Sequence, residues 1–391
     1  MKNYKGSSST ACATPPHIEL LERLRDQIVE ERTPSSEVRQ LPVNIFIDPE
    51  RFAREHEKAF LARPVIVGHV SMIPEAGDHF THDLLGKPLL IARDQDGEIR
   101  AFLNVCRHRG MRLVEAPGRK GAPSFVCPYH HWSYGMDGSL NYVPLRETFG
   151  DTDLSCHNLQ TVRCEVHRGL IWVQLNDERP QVVSDWLGTI DFDLAAFDFA
   201  SKVVMQQSTT LKKANWKLII EAFQDGYHVT RLHKKTVGGF FLDSQAATES
   251  ENEHIRSAVA RKPFSEVLHD SPEQWDVRKH VSFSHFIFPN AITVLHPEYT
   301  SVLTLFPQSA DETYVTHLFM ANHEPKSKEE REHINRSFDL IENGVFQSED
   351  YFVCEGIHAG LRSGANDYLL TGQHEQNLLV FHDILNRVIE V

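Results

Sequence analysis

No run of about 18 consecutive apolar residues occurs in this 391-residue chain, so the sequence offers no membrane-spanning helix. Its first ten residues, Met1 to Thr10, are polar and lack the apolar centre of a secretory signal. Basic residues are also short: 40 Lys and Arg stand against 54 Asp and Glu, a net charge of −14. Nucleic acid and anionic membrane are held by basic patches, so neither is expected as the main partner. Cysteine is scarce. Cys12, Cys106, Cys127, Cys156, Cys164 and Cys354 in a chain this long, without a signal, do not read as a disulfide framework. The expected location is the cytoplasm.

What is present suffices for two cores, with 41% hydrophobic residues. Residues 1 to 16 read as disordered, with Pro15-Pro16 leading into an amphipathic helix at "HIELLERLRDQIVEE". A second helix, "DPERFAREHEKAFLA", has Asp48 as its cap and Pro49 at its first position. From about Val65 the texture turns to short β-type runs, punctuated by Asp96-Gly97, Asp137-Gly138 and Arg168-Gly169. Residues 280 to 321 again read as strands, "SDWLGTIDFDLAAF" and "NWKLIIEAFQDGYH" as helices, and the last 65 residues as mostly helical. The expected fold is α+β: an N-terminal helical segment (1–59), a small all-β domain (60–177), and a larger domain (178–391) with a central antiparallel sheet and surrounding helices.

Two constellations carry chemistry. In the first, Cys106-x-His108 and Cys127-x2-His130 lie in two short segments separated by 18 residues, each between β-type runs. Thiolate and imidazole are the ligands of zinc and of iron–sulfur centres. Cys164-x2-His167 repeats one spacing, but in the alternating run "TVRCEVH", where positions three apart face opposite ways. Tetrahedral zinc usually groups like ligands, whereas one cysteine and one histidine per segment suits a two-iron cluster. "CRHRG" followed by "CPYHHW" resembles the Rieske [2Fe–2S] motif of the Rieske non-haem iron oxygenases, large subunit. His131 stands where that family usually has glycine; His130 is the ligand by spacing and His131 a second candidate.

The second constellation is "NWKLIIEAFQDGYHVTRLH", Asn215 to His233. As one helix it would place Glu221, Asp225 and His228 on a single polar stripe. Five positions rotate a regular helix by about 140°, so His228 and His233 converge only if the helix ends or widens between them. The segment is similar to the mononuclear iron segment of the same oxygenases. That resemblance implies His228 and His233 as iron ligands and Asp225 as the carboxylate linking iron to cluster. It also implies Asp350, in "QSEDYFVCEGIHAGLRSG", as the third ligand, with Glu349 as the neighbouring decoy. "FIFPN", ending at Asn290, matches a further family stretch.

The resemblance implies a terminal oxygenase with a Rieske [2Fe–2S] cluster and mononuclear Fe(II), fed by a reductase or ferredoxin. It further implies O2 and a small organic substrate, a homotrimer in which Asp225 meets the neighbour's His108, and room for a small beta subunit. The main expectation is hydroxylation of an aromatic or other apolar ring, with O- or N-dealkylation as the alternative. An electron carrier and a zinc-stabilised binding module are the competing classes. "VGGFFLD" and "FSHFIFPN" are the candidate walls of an apolar pocket.

Overall fold

The structure, a computed structural model, describes residues 16–32, 37–115, 123–176 and 178–390. The N-terminal stretch expected to be disordered, Cys12 and Asp177 at the expected boundary lie outside the described residues. The first helix, Pro16–Val29, buries Leu20, Leu21 and Leu24 completely. Pro49–Glu55 begins as its sequence signals: Asp48 accepts a hydrogen bond from the Glu50 amide at 2.9 Å, and Pro49 occupies the first turn, where no partner for its nitrogen is needed.

Strand β1 (Arg39–Pro42) precedes this helix. The β-rich half follows with β2 (Val65–His69), β3 (His79–His82), β4 (Leu89–Arg93) and β5 (Ile99–Leu103), then β6 (Ser124–Val126), β7 (Ser133–Gly135) and β8 (Leu140–Tyr142), and finally β9 (Thr161–His167) and β10 (Leu170–Gln174). Six of these strands form an antiparallel sheet in the order β2-β10-β9-β5-β4-β3, and β6-β7-β8 make a separate small sheet. Arg168 (φ 51°) and Gly169 (φ 78°) close the β9–β10 hairpin as a two-residue primed turn, as the dipeptide predicts.

The second half holds β11 (Val203–Lys212), β12 (Phe241–Glu251), β13 (His254–Arg261), β14 (Val281–Ile287), β15 (Ala291–Leu295), β16 (Tyr299–Pro307) and β17 (Thr313–Ala321). They form one antiparallel sheet, ordered β11-β17-β16-β15-β14-β13-β12. β18 (Tyr368–Thr371) pairs with β1 across the length of the chain. Three features differ from expectation. The β12–β13 hairpin was not legible as strands, and neither was the four-residue pair β1–β18. The helix expected over "SDWLGTIDFDLAAF" breaks at Gly188 (φ 57°) into Val183–Leu187 and Thr189–Ala196.

The two sheets are joined by Asn290. Its side chain accepts from the Ile66 amide and donates to the Ile66 carbonyl, both at 3.0 Å, capping β2 in place of another strand. Asn215 plays a similar part. It caps the Trp216–Gln224 helix through the Lys217 amide and donates to the carbonyls of Phe46 and Ala310. Lys217, fully buried, meets Glu55 at 2.6 Å, and Trp216 donates to the same carboxylate at 3.0 Å. The "NWK" triplet is therefore a structural lock between the early helix and the helix that leads to the second constellation. Cutting one partner of a buried pair strands a charge, at a cost of about 3–5 kcal/mol.

Candidate cluster and iron sites

The first constellation assembles from two loops built on the same hydrogen-bond frame. The Cys106 amide donates to Met111 O and the Gly110 amide to Cys106 O; the Cys127 amide donates to Trp132 O and the His131 amide to Cys127 O. Each loop needs a left-handed residue before its closing bond, Gly110 (φ 78°) in one and His131 (φ 58°) in the other. This explains the glycine slot. His131 is exposed and supplies the turn, whereas His130 faces inward.

Cys106 and Cys127 are buried free thiols, 2% and 1% exposed. Burial raises the Cys127 pKa, and the nearby Cys106 adds to it. The His108 and His130 rings lie 4.7 Å apart, outside the thiols and half-buried. His108 stacks on Trp132 at 4.8 Å, and Nδ1 of both histidines is buried without a hydrogen-bond partner. A buried unpaired polar atom costs about 1–3 kcal/mol. Two orphaned nitrogens beside two buried thiols fit a two-iron cluster, with the cysteines on the inner iron and the histidines on the outer. Tyr134 supports it, its hydroxyl 3.4 Å from Cys106 Sγ and accepting from the Arg107 amide.

A left-handed backbone costs a non-glycine residue roughly 1–2 kcal/mol, partly offset by the extra entropy glycine loses on folding, about 0.5–1 kcal/mol. His131→Gly is therefore expected to leave thermal stability unchanged or slightly raised, with the cluster's visible spectrum intact. A bleached variant would make His131 a ligand.

In the second constellation the helix stops earlier than expected. It ends at Gln224, with Asp225 as an extended cap (φ −90°, ψ 108°), and resumes only as the short turn Val229–Leu232. The polar stripe Glu221–Asp225–His228 is therefore broken: Glu221 turns to His382 (2.5 Å), while Asp225 and His228 leave the helix. This break is what lets His228 and His233 meet. Their Nε2 atoms are 3.2 Å apart, and Asp350 Oδ1 lies 3.5 Å from one and 3.3 Å from the other. Three donors about 2.1 Å from one ion stand about 3.0 Å apart at right angles and about 3.4 Å apart in a tetrahedron. The observed spacings match ligands on one face of a single ion, and the three form the one such group found among the described residues.

Both imidazoles are oriented from behind. His228 Nδ1 faces Asp225 at 3.2 Å, and Asp225 also accepts from the Tyr227 amide at 2.6 Å. His233 Nδ1 faces Glu349 at 2.7 Å, which also accepts from Thr236. Glu349, expected as a decoy, thus holds the far side of the ring whose near side meets Asp350. Burial disfavours the charged form of His228, but Asp225 and Asp350 outweigh it and raise its pKa to about 9. Likewise burial works against the Asp350 carboxylate, and the two imidazoles hold its pKa below the usual value. The same buried carboxylates that favour a proton on His228 would favour a divalent cation in its place, taken by the deprotonated ring nitrogens. A facial two-histidine, one-carboxylate set is that of non-haem Fe(II).

A cavity of about 140 Å³ opens on this cluster, walled by Phe223, Val237, Phe241, Ser284, His296 and Phe346. Of the expected wall segments, Val237 and Phe241 contribute, while Phe240 is exposed. In "FSHFIFPN" the serine lines the cavity; Phe283, Phe286 and Phe288 are plain core. On the other side, a cavity of about 250 Å³ touches Asp225, His228 and Asp350 beneath Leu41 of β1 and Leu370 of β18. The control pair separates as its strand pattern predicts: Cys164 packs in an apolar cluster and His167 pairs with Asp191.

Residues 63–162 match the Rieske [2Fe-2S] domain and residues 199–391 the ring hydroxylating alpha subunit (catalytic domain). A glycine betaine monooxygenase oxygenase subunit from Chromohalobacter salexigens is 33% identical over 223 residues, 57% of this chain and 49% of that protein. The chain thus spans about half the length of that relative. A carnitine monooxygenase oxygenase subunit from Escherichia coli K12 is 26% identical over 90% of this chain and 94% of its own length. Among solved structures, the quaternary ammonium Rieske monooxygenase described for carnitine oxidation and inter-subunit electron transfer aligns with a TM-score of 0.77, at 19% identity over 89% of this chain and 95% of that one. Naphthalene 1,2-dioxygenase from Rhodococcus sp. aligns with a TM-score of 0.76, at 21% identity over 95% and 98%. With both family matches falling in order on the two constellations, the chain belongs to the Rieske non-haem iron oxygenases as a large (alpha) subunit.

Proposed function

We propose that this chain is the terminal oxygenase of a two-component system that removes an N-methyl group from a small amine or quaternary ammonium compound. Residues 60–177 would carry the electron-relay site and 178–391 the catalytic one. Cys106, His108, Cys127 and His130 would hold the [2Fe–2S] cluster; His228, His233 and Asp350 would hold Fe(II). When bound, the cluster supplies single electrons at a potential raised by its imidazole ligands, and the iron supplies open positions for reducing O2. The protein's own part is to orient both imidazoles through Asp225 and Glu349, and to keep water from the reacting methyl group with the phenyl rings of Phe223, Phe241 and Phe346.

The observation that carries the reading is the His228–His233–Asp350 group at the end of an aromatic-walled cavity. Aromatic faces attract quaternary ammonium, by about 0.5–2 kcal/mol per ring. The carnitine relative, matched over nearly its full length, favours dealkylation over the ring hydroxylation that the sequence first suggests. For a quaternary ammonium the balanced reaction takes one O2 and one NADH per methyl group and releases NAD+, formaldehyde, water and the demethylated amine. Ring hydroxylation stays as the second reading because three phenylalanines would also suit a flat hydrocarbon. The test is a substrate screen with a reconstituted NADH reductase. Formaldehyde equal to NADH consumed supports the first reading; a diol or phenol without formaldehyde would replace it.

We further infer a cytoplasmic homotrimer in which Asp225 stands between this chain's His228 and the partner subunit's His108. Asp225 is partly exposed and reachable from outside its own chain, which supports the reading. Among the described residues no helix is long and apolar enough to cross a membrane.

A further inference from the structure

The sheet wall of the cavity is more polar than an apolar substrate needs. β13, β14 and β15 turn Ser257 and Val259, Ser282 and Ser284, and Val294 onto one face, in the register Val259↔Ser282 and Ser257↔Ser284↔Val294. Alternation along β13 puts Arg261, two residues beyond Val259, on that same face. Its guanidinium lies over the Phe240 and Phe241 rings, 5.6 Å from each centroid, with Nη1 3.4 Å from Ser282 Oγ.

Among the described residues no carboxylate pairs with Arg261, and its Nε is buried without a partner. Burial lowers its pKa, with only the nearby Tyr299 working the other way. Two more atoms on this wall, Ser284 Oγ and His296 Nε2, are also buried and unpartnered. Burial first, then Arg261 and His317, push the His296 pKa down to about 3, so the ring is neutral. The other arginine of this sheet, Arg256, is neutralised in the ordinary way, by Asp193 at 2.9 Å and Glu249 at 2.6 Å.

We propose that Arg261, with Ser282, Ser284 and His296, forms an anion subsite that receives a carboxylate on the substrate. An unpaired guanidinium fork matches a carboxylate in two parallel hydrogen bonds, and the aromatic cavity between this subsite and the iron ligands takes the rest of the molecule. The substrate class is then an amino or aromatic acid, with the reacting group at the opposite end from its carboxylate. The inference rests on the cavity being the substrate site.

Binding is measured by calorimetry on the holoenzyme without reductase, using matched acid and alcohol probes: glycine betaine against choline, and 2-naphthoate against 2-naphthalenemethanol. At least one acid should bind tenfold or more tightly than its alcohol. Arg261→Gln should erase that preference and Arg261→Lys should keep part of it, both with unchanged melting temperature. If no acid outbinds its alcohol, or if the preference survives Arg261→Gln, the subsite does not exist. Failure of the dealkylation reading shows up elsewhere, as absent formaldehyde, and leaves the binding preference untouched.

Discussion

Asp225→Asn is expected to lower product formation at least about a hundredfold while cluster colour and total iron stay at the level of the unaltered protein. Removing the outer partner of a metal-binding imidazole costs about 10–100-fold, and a lost contact to the partner subunit's His108 adds to that. The substitution is gentle on the fold. Asparagine keeps an oxygen for the Tyr227 amide, the bond that shapes the turn after the helix. What it removes is the carboxylate charge at His228 Nδ1. Rapid mixing of pre-reduced protein with substrate and O2 separates the two roles. If Asp225 links the centres, the cluster stays reduced; if it only orients His228, the cluster reoxidises but product falls. Normal turnover would dispose of both roles.

The second large effect concerns which acid holds the iron. Asp350→Ala should empty the mononuclear site and abolish turnover, so that iron falls from about three to about two per chain and the cluster spectrum persists. Glu349→Gln should instead weaken iron retention by about 10–100-fold, because it acts through the His233 ring rather than on the ion. The two residues are neighbours, so the contrast is a sharp one. An empty site in Glu349→Gln with a full one in Asp350→Ala would reverse the assignment.

Much of this was legible because it is local. Cys106, His108, Cys127 and His130 lie in two short loops, so their closeness in sequence carries over to closeness in space. Asp48, Pro49 and the Arg168-Gly169 turn act within a few residues of themselves. What was not legible depends on distant partners or on irregular backbone. β13 shows little apolar alternation, because its face toward the cavity carries Ser257 and Arg261 while the other carries Arg256 beside the small Ala258 and Ala260. β1 and β18 are four residues each and find one another across the whole chain. The role of Glu349 was hidden because regular α geometry turns adjacent side chains about 100° apart, which leaves room for only one acid at the site.

That last point leads to the backbone of the segment itself. Leu340–Asp350 is a π-helix, following the α-helix Lys328–Asp339 and running into Tyr351–Leu361. A π-segment is an α-helix with its winding slowed, and such segments gather at functional sites. The helices before and after it are each regular, yet they are out of phase with one another. The delay works like a vernier: it sets the angular position of Asp350 independently of the surface that Lys328–Asp339 packs against. Sequence length in this stretch is thus a tuning parameter of the metal site. A lineage that lost one residue between Phe346 and Asp350 would keep both flanking helices and the cavity walls, and would find the Asp350 carboxylate rotated about 100° away from His228 and His233.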